Sequence, residues 1–441
     1  MPSRLPKFLI VIFLLIIPCQ VSSQVKERFP KPDFQTEYTR SDLMTPEPRS
    51  PVKELVDVFV LIAALSLGSY FALKQRSRRN IFLLMIFSLI YFGFYRKGCV
   101  CSIGAIQNVS FALFDSGYAI PLTVIAFFVF PLLFALFFGR TFCAAVCPLG
   151  AVQDVVVLKP KKIPAWLAHV LSIIPYLYLG LAVLFATTGA GFIICQYDPF
   201  IGFFRFGVSF NMLIFGISIL LLGTMIARPY CRFLCPYGVL LNWMSRLSKW
   251  HVTITPDYCN NCRLCEESCP FGAIQKPVEV KYDETRQSEV RRIAILMVLL
   301  PLVIFGSGWI ISRLHIPLSR QHFMVSLAEE IQLEDSGMRQ ETTEITRTFR
   351  ASGKPTELLF AEAKAIQRKF KIGGWILGGF LGLIICLKII NLSIQRKRSE
   401  YAIDTGTCLS CGRCFLYCPY EQVRLGIITP EQVDEMKVID S

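Results

Sequence analysis

The stretch CNNCRLCEESCP (259–270) recurs in pattern as CLSCGRCFLYCP (408–419), and both read C-x2-C-x2-C-x3-C-P. The copies stand about 150 residues apart, with two long apolar segments between them. Three closely spaced thiolates grip three irons of one [4Fe–4S] cubane, and in two-cluster ferredoxins the fourth Cys ligates the other cluster. The spacing therefore predicts cluster I on Cys259, Cys262, Cys265 and Cys418, and cluster II on Cys408, Cys411, Cys414 and Cys269. Zinc ribbons instead split two CxxC pairs with a long loop. Pro270 and Pro419 lack an N–H and turn the chain away after the fourth thiol. Runs that exchange ligands must meet in one compartment, and that requirement restricts the path of everything between them.

The chain is too apolar for a soluble globule, with 53% hydrophobic residues and a mean hydropathy of +0.50. Seven apolar segments, roughly 55–73, 81–95, 118–138, 165–187, 208–227, 293–312 and 373–391, are candidate spans. Each is long enough, or nearly so, for a bilayer core of about 30 Å. Continuous apolarity makes helices the spanning form. Lys and Arg mark one side of these spans. KQRSRR follows the first, and Arg140, Lys159, Lys161 and Lys162 follow the third. Arg228, Arg232, Arg246 and Lys249 follow the fifth, Arg291 and Arg292 precede the sixth, and Arg396, Lys397 and Arg398 follow the seventh. With alternating spans these all fall on one face, which the positive-inside rule makes cytoplasmic. The net charge of +14 is accounted for in this way, without nucleic acid. The two spans between the Cys runs carry the chain out and back, so both runs face the cytoplasm.

The predicted fold is an all-α polytopic membrane protein of about seven transmembrane helices. A small α+β two-cluster ferredoxin-like cytoplasmic domain is assembled from two separated segments. Residues 1–23 read as a signal peptide, with Arg4 and Lys7, the apolar core FLIVIFLLII and a small-residue VSS before Gln24. Polar, Pro-rich residues 24–54 read as an extracytoplasmic linker, and 55–250 as the transmembrane region. Ferredoxin-like segment 1 is 251–290, with a transmembrane helix over 291–312 and an extracytoplasmic loop over 313–372. A transmembrane helix over 373–392 leads into ferredoxin-like segment 2, 393–441. Within the loop, PTELLFAEAKAIQRKF carries a helical pattern with Thr356 as its N-cap.

Four more Cys form a repeat. GRTFCAAVCPLG (139–150) and ARPYCRFLCPYG (227–238) both read R-x-aromatic-C-x3-C-P-x-G, each after an apolar span. Upstream of the first lie Cys99 and Cys101 in CVCSIGAIQN, and upstream of the second Cys195 in CQYDPFIGFF. Equal orientation implies a parallel repeat about an axis along the membrane normal. Such an axis brings Cys143 and Cys147 toward Cys231 and Cys235 at the inner face, and Cys99 and Cys101 toward Cys195 at the outer. The inner four suit a metal or cluster, with Arg140 and Arg228 balancing its charge. They equally suit reduced thiols at a helix-end turn. The outer three suit a cluster with one non-Cys ligand, a disulfide pair or buried apolar Cys. Cys386 reads as lipid-facing, and His169, His315 and His322 as helix-end residues. Asp198 caps a turn before Pro199. No nucleophile, His or carboxylate constellation marks a catalytic centre.

The paired R-x-[FY]-C-x3-C-P-x-G motifs followed by the C-x2-C-x2-C-x3-C-P motifs resemble NosR/NapH-type membrane polyferredoxins, over roughly residues 81–425. The resemblance implies a bacterial inner-membrane iron–sulfur protein that passes electrons between a cytoplasmic donor or the quinone pool and a partner redox complex. That partner would be a flavoprotein or a periplasmic reductase. It implies an electron-transfer subunit rather than a stand-alone enzyme. The alternative is a redox-sensing or metalloenzyme-maturation factor, including a metal-ion reductase. NosR-like members carry an extracytoplasmic flavin-binding domain; residues 24–54 are too short for one, and no flavin site is seen. NapH-like members keep their two ferredoxin motifs together, whereas spans six and seven split them here.

Overall fold

The apolar segments fold as helices, as residues must when their backbone groups lie in lipid. The computed structural model describes residues 50–98, 101–158, 160–205, 207, 209–254, 262–278, 286–339, 342–393, 398, 400–429 and 431. The expected signal peptide, nearly all of the linker, Cys99 and Cys259 lie outside the described residues. Five helices are long and apolar enough to cross a membrane. They are α1 (Pro51–Gln75), α2 (Arg78–Tyr95), α5 (Ala165–Thr187), the Val290–Arg313 part of α7 and α8 (Thr356–Ser393). Three shorter apolar helices lie among them: α3 (Ser102–Phe114), α4 (Leu122–Phe138) and α6 (Phe210–Met225). The expected spans at 118–138 and 208–227 thus become helices of 17 and 16 residues. α3 has no counterpart among the expected spans.

α7 (Arg286–Arg313) and α8 pack along a seam of glycines. Gly374, Gly378 and Gly382 recur every fourth residue, so one face of α8 is bare backbone, as in close-packed membrane helix pairs. A Cβ on Gly378 would collide with the Ser307 carbonyl, and one on Gly374 would lie 3.0 Å from Ser312 Cα. Ser307 Oγ donates to the Gly378 carbonyl across this seam, at 2.8 Å. Cys386 is buried, contrary to its reading as lipid-facing. The expected loop 313–372 is largely helical. His315–Ser319, Phe323–Asp335 and Glu344–Ala351 precede α8, whose first half occupies the rest. Val325, Ile331, Phe349 and Leu359 give this part a small core of its own. Thr356 is the first residue of α8 rather than the cap before it.

The two ferredoxin-like segments repeat one local design. Short helices Leu264–Ser268 and Arg413–Tyr417 each follow a left-handed residue, Arg263 and Gly412, and pack together. Strand β1 (Ile274–Gln275) pairs antiparallel with β2 (Ala402–Ile403), placing Ile274 opposite Ile403. Segments far apart in sequence therefore join in one small unit.

That unit is fastened to the membrane helices through Asp154. Its carboxylate pairs with Arg228 at 3.3 Å, with Arg413 at 3.2 Å, and with Arg78. Arg78 also donates to the Cys411 carbonyl at 3.1 Å. Arg140 and Asn242 both donate to the Gly406 carbonyl, at 3.0 and 2.8 Å. Arg76 of the KQRSRR run pairs with Glu421. Part of the charge expected to anchor the chain in lipid headgroups thus clamps the ferredoxin-like unit. Burial alone would raise the Asp154 carboxyl, but Arg228, Arg78 and Arg413 together hold it well below the usual carboxylate range.

Two consequences are measurable. Gly378→Val forces α7 and α8 apart and lowers stability by about 1–3 kcal/mol, the cost of overpacking; an unchanged thermal unfolding midpoint in detergent excludes the seam. Asp154→Asn leaves three guanidiniums facing one another, and losing one partner of a buried pair costs about 3–5 kcal/mol. Limited trypsin digestion at pH 7 then cuts within 398–429 faster than in the parent. A carboxyl held low stabilises the fold above the ordinary carboxylate value of about 4 and stops doing so as pH falls through its lowered folded value. The parent is therefore insensitive to pH between about 5 and 8 at this contact, and equal digestion of both proteins counts against the clamp.

Candidate metal centres

Each C-x3-C-P motif builds a helix break. Cys143 lies in the one-turn helix Thr141–Ala145, and Cys147 is the N-cap of Pro148–Val155. Cys231 and Cys235 take the same places, in Pro229–Phe233 and before Pro236–Arg246. Proline at the first helical position has no N–H to leave unpaired there. The loop so formed aims backbone donors at sulfur, and Gly238 N approaches Cys235 Sγ at 3.4 Å.

The motif's Arg and Gly interlock between repeats. A Cβ on Gly150 would meet Arg228 Nη1 at 3.2 Å and the Cys143 carbonyl at 3.0 Å. A Cβ on Gly238 would meet Arg140 Nη2 at 3.3 Å and the Cys231 carbonyl at 3.4 Å. Each repeat's arginine thus crosses onto the other repeat's glycine. Cys143, Cys147, Cys231 and Cys235 come within electrostatic reach of one another. Arg140 approaches Cys143 Sγ at 3.8 Å, and Gln153 Nε2 donates to Cys231 Sγ at 3.3 Å.

In the ferredoxin-like unit, Cys414 lies within electrostatic reach of Cys411, Cys408, Cys269 and Cys265. Cys269, Cys408, Cys411 and Cys414 line one pocket, walled by Val252, Phe271, Ile274, Ile403 and Leu409. Ser410 N donates to Cys408 Sγ at 3.4 Å. Cys418 couples instead to Cys262, across the unit. Cys265 comes within electrostatic reach of Cys414, and Cys259 is outside the described residues. Burial pushes the Cys408 thiol up to about 12 and raises Cys269, Cys414 and Cys418 as well. Such thiols release their protons on binding metal.

Among the described residues, no three His, Cys, Asp or Glu side chains converge closely enough for a single metal ion. A cubane differs from a lone ion in this respect. Its thiolates bond to separate irons, so they stand apart around a larger body, whereas one Zn²⁺ draws four ligands to about 2.3 Å. Four thiols spaced around one pocket fit the larger group.

Arg228 lies within electrostatic reach of both Cys231 and Cys411, and Arg140 of both Cys231 and Cys408. The two arginines therefore form a layer between the C-x3-C-P thiols and the ferredoxin-like thiols. On the other side of the C-x3-C-P thiols, Cys101 and Cys147 line one pocket with Leu61, Phe92, Phe127 and Phe142. Cys101 is the N-cap of the short helix α3. Cys195 Sγ sits 3.3 Å from where a Gly104 Cβ would be, and Cys101 and Cys195 are coupled. Asp198 accepts from Phe200 N at 2.9 Å, the expected turn cap, and also from Tyr230 Oη. His315 and His322 stand at helix ends, as read.

Sequence reasoning missed Asp154, Gln153, Arg78 and Arg413. One signal was present: Gln153 and Asp154 are polar residues in the otherwise apolar GAVQDV that follows the first C-P.

The comparisons agree with this geometry. A family model of a 4Fe-4S binding domain matches twice, over residues 120–165 and 208–255, once on each C-x3-C-P repeat. A second model of the same description matches residues 252–275. An uncharacterized protein of Methanocaldococcus jannaschii is 30% identical over 194 residues, which are 41% of this chain and 77% of that protein. The methylamine utilization ferredoxin-type protein MauN of Paracoccus denitrificans is 30% identical over 138 residues, 30% of this chain and 48% of MauN. The regulatory protein NosR of Stutzerimonas stutzeri is 22% identical over 218 residues, 45% of this chain and 30% of NosR. The chain thus spans less than half of MauN and of NosR. No solved structure matches it. The repeated 4Fe-4S binding domains, the apolar helices and these relatives together show that the chain belongs to the NosR/NapH-type family of membrane ferredoxin-like proteins.

Proposed function

We propose that this membrane iron–sulfur protein conducts electrons between a donor on the ferredoxin-like side and a partner reached from the Cys195 side. Cluster I would be held by Cys259, Cys262, Cys265 and Cys418, and cluster II by Cys408, Cys411, Cys414 and Cys269. A further cluster would be held by Cys143, Cys147, Cys231 and Cys235. Bound [4Fe–4S] clusters would supply one-electron transfer at potentials set by charge, hydrogen bonds and exposure.

The observation that carries this reading is the arginine layer. Arg228, Arg78 and Arg413 share a single carboxylate, Asp154, while Arg140 stands beside Cys143 Sγ and donates to the Gly406 carbonyl, between the two sets of thiols. That excess of positive charge is buried, and a buried charge calls for an opposite partner. Anionic thiolate clusters on both sides would supply it. Cys101, which lines one pocket with Cys147, and Cys195, within electrostatic reach of Cys101, would extend the row of thiols away from the ferredoxin-like unit. We place the ferredoxin-like side in the cytoplasm of a bacterial inner membrane, on the Lys and Arg distribution. The donor would be a soluble carrier, a flavoprotein or a quinol, and the acceptor a redox partner protein or complex.

Iron and acid-labile sulfide per anaerobically purified chain test the proposal. About twelve irons are expected from three clusters, and about four fewer in a Cys143→Ser/Cys231→Ser variant. About eight in both proteins removes the membrane cluster and leaves a sensor or metal-reductase reading in its place. Arg140→Gln removes positive charge beside Cys143 and Cys408, which disfavours adding an electron nearby. Redox titration followed by EPR then finds the affected signals at more negative potential, and unmoved potentials argue against the arginine layer as a tuning device.

A further inference from the structure

At the ferredoxin-like end of the membrane helices, two cations lie along the groove between α5, α8 and Pro236–Arg246. Lys388 of α8 reaches across to Ser172 at the start of α5 and donates to its Oγ. Its ammonium lies 5.3 Å from the centre of the Tyr176 ring. The Arg246 guanidinium is within electrostatic reach of this ammonium. Among the described residues, neither cation has a carboxylate partner. Arg246 bonds instead to Asn242 Oδ1, at 3.0 Å.

The wall beside them is aromatic. Tyr176, Trp243 and Phe380 contact one another, with ring centres 6.1 to 6.4 Å apart. Three different helices, α5, Pro236–Arg246 and α8, contribute these rings. Trp and Tyr collect where hydrocarbon gives way to headgroups. Trp250 and Lys249 pack together in the loop that follows Pro236–Arg246, with the ammonium 5.2 Å from the ring centre. The groove therefore sits at headgroup depth.

Two like charges held together cost energy unless an opposite charge sits between them. Lys388, a side chain long enough to turn toward water, is instead half-buried and held by Ser172 and Tyr176, while the exposed Arg246 is oriented by Asn242. We infer that the groove binds the phosphodiester of an anionic phospholipid, with Lys388 and Arg246 on the phosphate and the acyl chains along Tyr176 and Phe380. Basic pockets between membrane helices bind such headgroups. A lipid is favoured over a free anion because the aromatic wall continues the groove into the apolar face of α5 and α8. Asn242 also donates to the Gly406 carbonyl, two residues before Cys408, so an occupied site would brace the ferredoxin-like unit. The inference stands apart from the proposed electron route.

The experiment is lipid retention and thermal unfolding of the full chain in zwitterionic detergent. Phosphatidylglycerol or phosphatidylcholine is added as mixed micelles. The parent is expected to retain phosphatidylglycerol through purification and to gain in unfolding temperature with it, but not with phosphatidylcholine. Lys388→Met is expected to bind it roughly fivefold more weakly, and Lys388→Met/Arg246→Gln roughly 25-fold, at about one headgroup-scale interaction per cation. Lys388→Arg retains binding, which separates lost charge from lost folding; gel filtration checks that each variant stays monodisperse. Equal retention by the parent and the double variant overturns the inference. So does an equal effect of phosphatidylcholine, or full replacement of the lipid effect by inorganic phosphate, which would make this a free-anion site.

Discussion

One buried carboxylate, Asp154, answers three guanidiniums, and the relation between the membrane helices and the ferredoxin-like unit depends on it. Arg78 comes from α2, Arg228 from the second C-x3-C-P motif and Arg413 from between two ferredoxin-like cysteines. Arg228 adopts a left-handed backbone (φ 49°), which costs a non-glycine residue about 1–2 kcal/mol. A conformation of that kind persists when its surroundings over-determine it. Here the side chain is fully buried, bonded to Asp154 and to the Cys143 carbonyl, and packed on Gly150. The ion pair thus fixes a backbone turn as well as a contact between units.

The crossed arrangement of arginine and glycine gives a physical meaning to the repeated motif. From the sequence, Arg140 and Arg228 are expected to balance the charge of the four-cysteine site. In the structure each guanidinium lies against the glycine of the opposite repeat, where a Cβ would crowd it at 3.2–3.3 Å. The two motifs therefore depend on each other, and neither half-site has its shape alone. Pairing of repeats in this way is how a parallel duplication builds one site from two copies.

The long helices of the membrane region were legible in the sequence, and the short ones were not. Apolar runs at 55–73, 81–95, 165–187, 293–312 and 373–391 all fall within long helices, because continuous apolarity leaves lipid-embedded backbone no other form. α3 was missed because it carries Ser102, Gln107 and Asn108 and is too short to read as a span. Its seating is a tertiary feature, with Gln107 Oε1 accepting from Ile194 N in the second repeat, at 2.9 Å. Asp154 was missed for the same reason. Its partner Arg413 lies 259 residues away, and no local pattern joins them. The 313–372 segment read as a loop because its helices are short and polar, held by caps such as Thr343 and by one small core.

The interruption of the ferredoxin-like unit by α7 and α8 is then better understood as a rigid insertion than as a long tether. Joining Cys262 to Cys418 through a flexible chain would carry a closure entropy that grows with the logarithm of loop length. A helix pair closed by Gly374, Gly378 and Gly382 removes most of that freedom before the two halves meet. The short strands β1 and β2 could not hold the halves alone, since two-stranded pairings are marginal in water. Closure of the seam, docking on Asp154 and pairing of Ile274 with Ile403 are therefore successive parts of one constraint. Each orders the thiols that the next brings together.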